Sequence, residues 1–344
     1  MARLRGGRVL LLLPALVGVL GLGVHWAMAW WDTPLTGLRA ATVIEIQSGD
    51  RIATISQRLA AQGTIDFPLL LTWQARLRGL AGHIRAGEYE VHAHASPHEL
   101  IGVLVSGKVL LHPVTLVEGW TAAEALDELH DQPFIRPQVS GVSAPNLRQV
   151  LAITESSIEG QLFPDTYLVP KGTSDVDVMK MAHARMTGQL SEAWAQRAEG
   201  LPLATPYQAL ILASIIEKET GTPDERARIA SVFVNRLRKG MRLQTDPTVI
   251  YGLGDQYNGT IHKKDLTKDT PWNTYTRDGL PPTPIAMPGV ASINAALHPA
   301  HTDALYFVAS GKGDGRHTFS ATLAAHNAAV AGYVASKRQK GNQR

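Results

Sequence analysis

Apolar and polar positions divide the chain into distinct pieces. From Val9 to about Trp31 nearly every position is apolar, and only His25 can carry charge. Roughly 20 apolar residues in a helix cover a bilayer core, so this stretch predicts a transmembrane helix over 9–31 behind a tail of residues 1–8. The pattern then breaks into short alternating runs, each followed by helical spacing. "VIEIQ" (43–47) reads as a strand, Ser48-Gly49 as a turn, and Ile52, Ile55 and Leu59 as a helix that Gly63 stops. The motif returns twice. "EYEV" (88–91) precedes a helix opened by Ser96-Pro97, carried by Leu100, Val103 and Leu104, and stopped by Gly107. "HPVTLV" (112–117) precedes a turn at Gly119 and a helix carrying Ala122, Ala125, Leu126 and Leu129, with Thr121 and Glu124 as a capping box. The spacing of the three units is irregular, which excludes a solenoid.

A further helix is predicted near 175–197, and another over 208–220. In the second, Leu212, Ile215, Ile216 and Glu219 follow i, i+3, i+4, i+7 and share one stripe. Glu217 points elsewhere, beside Leu210, Ala213 and Ser214. The two glutamates of "EKE" therefore do not form a carboxylate pair on one face. Gly221 is a natural stop. Thr222 as N-cap, Pro223 at N1 and Glu225 completing a capping box predict a second helix, with Ile229, Val232, Phe233 and Leu237 inward and Gly240 ending it. A carboxyl group on an apolar stripe at a helix C-terminus is held protonated by burial and by the macrodipole. A general acid has that property near neutral pH. The same position also suits a solvated helix end.

Composition narrows the chemistry. The 344 residues carry a net charge of +3, and Arg3, Arg5 and Arg8 supply part of the excess. These arginines, with Asp32 beyond the apolar stretch, predict an N-inside orientation, and Trp26, Trp30 and Trp31 predict an interfacial belt. Ala27-Met28-Ala29 also has the form of a signal-peptidase site. On either reading the chain from about residue 33 lies outside the cytoplasm. No basic stripe suggests nucleic acid. The lack of cysteine excludes disulfides, thiolate nucleophiles and cysteine-bound metals. His298 and His301, then His317 and His326, lack the helical context of a zinc site, and neither a G-x-S-x-G elbow nor a Walker pattern occurs. No metal or cofactor is expected.

Two loops are rich in groups that hydrogen-bond and stack on sugars: "MRLQTDPTVIYGLG" (241–254) and "TPWNTYTRDGLPPTPIAMPG" (270–289). Together with "ASIIEKET", "SVFVNRLRKG" and "LYFVASGKGDGRHTFSATLAAHN", they resemble the YceG-like family of endolytic murein transglycosylases over nearly the whole chain. "VIEIQ", Ser48-Gly49-Asp50 and "IATISQRL" resemble a LysM module, the small βααβ peptidoglycan-binding fold. The resemblance implies an α+β protein with a transmembrane helix, a LysM-like module over 40–110, and a mixed α/β catalytic domain over 111–338. It implies a single-pass inner-membrane lyase facing the periplasm. Such an enzyme cleaves MurNAc–GlcNAc bonds to 1,6-anhydroMurNAc ends and terminates growing glycan strands, with glycan strands as substrate and peptidoglycan synthases as partners. The second glutamate of E-K-E maps to Glu219 as the acid, with Glu217 as alternative or accessory. Gln244, Asp246, Tyr251, Asn273 and Tyr275 map to substrate contacts. A non-catalytic wall-binding or division scaffold, and a two-carboxylate muramidase, are the rival readings.

Overall fold

A computed structural model describes residues 6–219 and 221–341, with side chains described from residue 15 to 338; residues 1–5 of the expected tail lie outside the described residues. The chain divides into two compact units, Met1–His112 with Val169–Lys171, and Pro113–Leu168 with Gly172–Arg344.

The first unit contains α1 (Gly6–Trp30), β1 (Thr42–Ile46), α2 (Ile52–Ala61), α3 (Pro68–Leu77), β2 (Gly87–Val91) and α4 (Pro97–Ser106). β1 and β2 pair antiparallel with Ile44 opposite Tyr89. Period-two alternation buries Ile44, Ile46, Tyr89 and Val91 and turns Val43, Glu45 and Glu90 outward. Ser96 and Glu99 form a reciprocal capping box on α4, and Gly107 ends that helix in the left-handed region. Lys171 Nζ reaches Glu45 Oε2 at 2.9 Å and Glu88 Oε1 at 3.0 Å. No periodic pattern in the sequence marks α3, although the resemblance to a βααβ module implies a second helix there. Its Leu69, Trp73 and Leu77 face out while Leu71 and Ala75 face in, so its apolar residues trace no single stripe.

The aromatic-belt expectation is corrected at two positions. Trp30 and Trp31 are buried in the core of this unit, where the Arg78 guanidinium lies 4.3 Å from the Trp31 ring centroid; Trp26 alone is exposed, edge-on to Phe67. Among the described residues no helix is long and apolar enough to cross a membrane. The side chains of residues 9–14 of the expected span lie outside the described set.

The chain passes between the units within β3 (Leu111–Thr115) and β4 (Thr166–Pro170), which pair with each other. In the second unit come α5 (Ala122–Asp131) and α6 (Leu147–Val150) before β4, then α7 (Asp175–Ala195), α8 (Pro206–Glu219), α9 (Arg226–Arg238), α10 (Asp246–Leu253), α11 (Lys263–Thr267) and α12 (Val290–Leu297). An antiparallel hairpin, β5 (Tyr306–Ala309) and β6 (His317–Ser320), and α13 (Leu323–Gly341) complete it. The Thr121–Glu124 capping box forms as the sequence predicts.

α8 is the hub of this unit, with α7, α9, α10 and α12 against it. Every residue from Ala209 to Ile216 is buried. The expected one-sided stripe is thus corrected to a helix enclosed on all sides. Burying each Leu or Ile side chain is worth about 1.5–3 kcal/mol, which fixes the helix end that carries Glu219. The second expected capping box does not form. The Thr222 hydroxyl donates to Gly315 O at 3.2 Å instead of accepting from the helix start, and Pro223–Glu225 makes a single 3-10 turn. The buried Glu225 carboxylate takes the His317 Nδ1 at 2.8 Å and the His317 backbone N–H.

Candidate active site

Glu219 sits on the last turn of α8, partly buried, in the wall of a cavity of about 490 Å³. Gln244, Asp246 and Tyr275 line the same cavity, so three of the five expected substrate contacts converge on the expected acid. Arg236, Tyr306 and His326 also line it.

The loop before α10 positions this wall. Gln244 has φ of +50°, a left-handed conformation that costs a non-glycine residue on the order of 1 kcal/mol. The fold holds it there from two sides. Its N–H donates to Thr274 O at 3.1 Å, and its side-chain oxygen accepts from Arg236 Nη1 at 3.4 Å. Thr245 follows as the N-cap of α10, but its hydroxyl donates to Glu219 Oε1 instead of capping the helix. Buried Thr248 and Thr274 share a hydrogen bond of 2.9 Å, and Thr274 Oγ1 accepts from the Thr245 N–H at 3.1 Å. Asp246 Oδ1 accepts from the Tyr275 hydroxyl at 2.6 Å.

The electrostatics favour a protonated Glu219. Burial pushes its carboxyl up to about 7, and the charge of Asp246 pushes the same way. The Thr245 hydrogen bond, His317 and Arg236 pull back without cancelling the burial. Oε1 is taken by Thr245, and Oε2 has no hydrogen-bond partner among the described residues. About half of the group is therefore in the neutral acid form at pH 7, with Oε2 unpaired among the described residues on a side chain that lines the cavity.

Arg236 is a site residue absent from the sequence expectation. It is 8% exposed, with Nε on Leu305 O at 2.7 Å and Nη1 on Leu243 O at 2.8 Å, and it ties α9 to the Gln244 loop. The chain does carry a signal for it. Arg236 stands at i+7 from Ile229 and at i+4 and i+3 from Val232 and Phe233, on the apolar stripe where solvated charges do not belong. Thr245 is also absent from the expectation, because a hydroxyl between Gln244 and Asp246 carries no pattern of its own.

The remaining expected residues lie elsewhere. Asn273 is buried, and its amide donates to the carbonyls of Asp265, Leu266 and Lys268, so it builds the loop. Tyr251 faces a separate cavity of about 750 Å³ and donates to Glu159 Oε2 at 3.1 Å. Glu159 is itself buried, accepts from the Ala122 N–H at 3.0 Å, and is driven up to about 7 by desolvation. The next residue, Gly160, has φ of +73°, and an added Cβ would meet Pro284 at 2.4 Å, so only glycine fits.

Glu217 leaves α8 on the other side. Its Oε2 accepts from the Gly289 N–H at 3.0 Å and its Oε1 lies 3.6 Å from Arg226 Nη2. Gly289 is a close approach, since an added Cβ there would fall 1.8 Å from Glu118 Oε1. Glu217 thus anchors the start of α12. Glu217→Gln keeps an acceptor for Gly289 and should leave turnover within about tenfold of the unsubstituted protein, a barrier change below ~1.4 kcal/mol. Assays of glycan release under saturating substrate check this, and a loss equal to that of a Glu219 variant would show that Glu217 works at the reacting bond.

Among the described residues no three His, Asp or Glu side chains gather to hold a metal ion. His298 Nε2 lies 2.8 Å from Gln196 O, and His317 is held by Glu225.

Comparison with known proteins agrees with this architecture. A Bacillus subtilis (strain 168) protein named endolytic murein transglycosylase is 33% identical over 315 residues, covering 86% of each chain. A Streptococcus pneumoniae serotype 2 protein of the same name is 27% identical over 329 residues, covering 86% of this chain and 58% of that one. The crystal structure of a YceG-like protein from Listeria monocytogenes aligns with a TM-score of 0.53 at 30% identity, covering 84% of this chain and 99% of that one. The YceG-like family matches residues 44–332, and the chain belongs to that family.

Proposed function

We propose that this protein is an endolytic peptidoglycan lytic transglycosylase in which Glu219 is the acid. The observation that carries the reading is a carboxyl held up to about 7 by burial, on a side chain that lines a cavity with Gln244, Asp246 and Tyr275. The names of the relatives point to the same chemistry.

In the reaction, Oε2–H of Glu219 protonates the glycosidic oxygen between MurNAc and GlcNAc. The bond from the MurNAc C1 to that oxygen breaks, and GlcNAc leaves with a C4 hydroxyl. The MurNAc C6 hydroxyl oxygen then bonds to C1, and its proton passes to the Glu219 carboxylate. The product end is a 1,6-anhydro ring, no water is consumed, and the acid is reset. Asp246 shares the cavity and makes a two-carboxylate hydrolase the alternative, since glycosidases of that kind pair carboxyl groups roughly 5–9.5 Å apart. Digestion of isolated glycan strands separates the two. Anhydro ends, one water lighter than hydrolytic ends, are expected, and hydrolytic ends alone would reject the lyase.

The envelope setting belongs to the same proposal. Leu16, Val17, Val19, Leu20, Leu22 and Val24 are exposed along α1, which supports an anchor over 9–31 in the inner membrane with the rest of the chain in the periplasm. The order β1–α2–α3–β2 with an antiparallel strand pair supports reading that part as a LysM-like wall-binding module. Association with peptidoglycan synthases follows from the family resemblance.

A further inference from the structure

His326 of α13 is a cavity-lining residue that the reaction above leaves without a role. Its ring stacks on Tyr306, with centroids 5.1 Å apart and planes 23° apart. The Arg236 guanidinium in turn lies 5.2 Å from the Tyr306 centroid. The plane of the imidazole is thus held by the stack.

The two ring nitrogens differ. Nδ1 is sealed from solvent and has no hydrogen-bond partner among the described residues. Buried polar atoms without partners are rare, and an orphaned N–H is rarer than an orphaned lone pair. The proton of a neutral ring therefore belongs on Nε2. Burial lowers the pKa of this histidine, and the Arg236 charge lowers it further, so the neutral form prevails at pH 7. The other titratable and charged groups of the cavity are Glu219 from α8, Asp246 from α10, and Tyr275 and Tyr306. None of them is hydrogen-bonded to the His326 ring. Nε2–H is then a donor without an acceptor among the described residues, on a residue that walls the cavity where a glycan would lie.

We propose that His326 is a glycan-binding residue of the Glu219 cavity, donating a hydrogen bond from Nε2–H to a saccharide oxygen. The inference rests on the function proposed above and adds a contact from α13 to those of Gln244, Asp246 and Tyr275. The stack on Tyr306 holds the plane of the donor, so that an N–H committed to no described group meets the sugar with little reorganisation.

Binding is measured on a Glu219→Gln background, so that the glycan is not consumed. A soluble murein glycan oligosaccharide is titrated calorimetrically into the full chain. Adding His326→Phe keeps the stack and removes the donor, and should weaken binding by about tenfold. Adding His326→Gln instead sets an amide N–H near the position of Nε2, and should recover affinity to within about threefold of the background. Unchanged affinity for His326→Phe overturns the proposal. Equal weakening by both substitutions also overturns it, because the loss would then not follow the donor. If Glu219→Gln alone binds no glycan, the proposed function fails, and this contact fails with it.

Discussion

Replacing Glu219 by glutamine should lower the turnover of isolated glycan strands by about 10²–10⁴, the range that a positioned general acid supplies. The amide has the shape of the carboxyl, and its oxygen can still accept from Thr245, so the fold and the cavity should persist. Only the transferable proton is gone. The same proton sets the pH dependence. The working form carries the proton, and burial raises its loss to about pH 7, so the rate should fall as pH rises through about 7. An ordinary glutamic acid would have lost its proton near 4.5 and would leave almost no acid form at neutral pH. Initial rates from pH 5 to 9, with melting temperatures as a control for folding, check both parts. Residual turnover within a few-fold of the unsubstituted protein would remove Glu219 from the reaction.

Replacing Glu159 by glutamine should flatten the dependence of stability on pH. Desolvation raises the Glu159 carboxyl from 4.5 to about 7 in the folded protein. Between those pH values the folded chain keeps a proton that the unfolded chain has lost. The unfolding free energy therefore falls as pH rises through that window, and the contribution is complete below 4.5 and gone above 7. A displacement of this size corresponds to about 3 kcal/mol. Glutamine cannot ionise, so Glu159→Gln should lack this share, while the contribution of Glu219 is common to both proteins. Urea midpoints at pH 4.5 and 8 measure the difference. The gap between the two proteins should change by about 3 kcal/mol, with the unsubstituted protein gaining most at low pH. Parallel curves would show that Glu159 ionises as freely folded as unfolded.

Helical register alone separates Glu219 from Glu217, because a period of 3.6 residues is a local property legible in the chain. The same locality explains the failures. A hub helix is apolar on every face, so the stripe of Leu212, Ile215 and Ile216 is only part of a buried surface that also takes in Leu210, Ala213 and Ser214. The Thr222 capping box is plausible within four residues, but Glu225 finds a stronger partner in His317, far along the chain. Asn273 has the chemistry of a sugar ligand, yet a buried loop needs its own carbonyls satisfied, and the amide goes there. Tyr251 and Tyr275 look alike in sequence. Which of them reaches Asp246 and which reaches Glu159 depends on how α10 and the 270–289 loop pack, and no local pattern contains that. The tryptophans at 30 and 31 follow the same rule, since a core formed by α2, α3 and α4 claims rings that composition assigns to a membrane interface.

Reaction of isolated glycan strands in water enriched in oxygen-18, followed by mass spectrometry of the new chain ends, tests the central claim most directly. If Glu219 both gives the proton and takes one back from the C6 hydroxyl, the new ends are 1,6-anhydro rings and carry no label. One oxygen-18 atom at each new reducing end would mean that water attacked C1, and would contradict ring closure by a single acid.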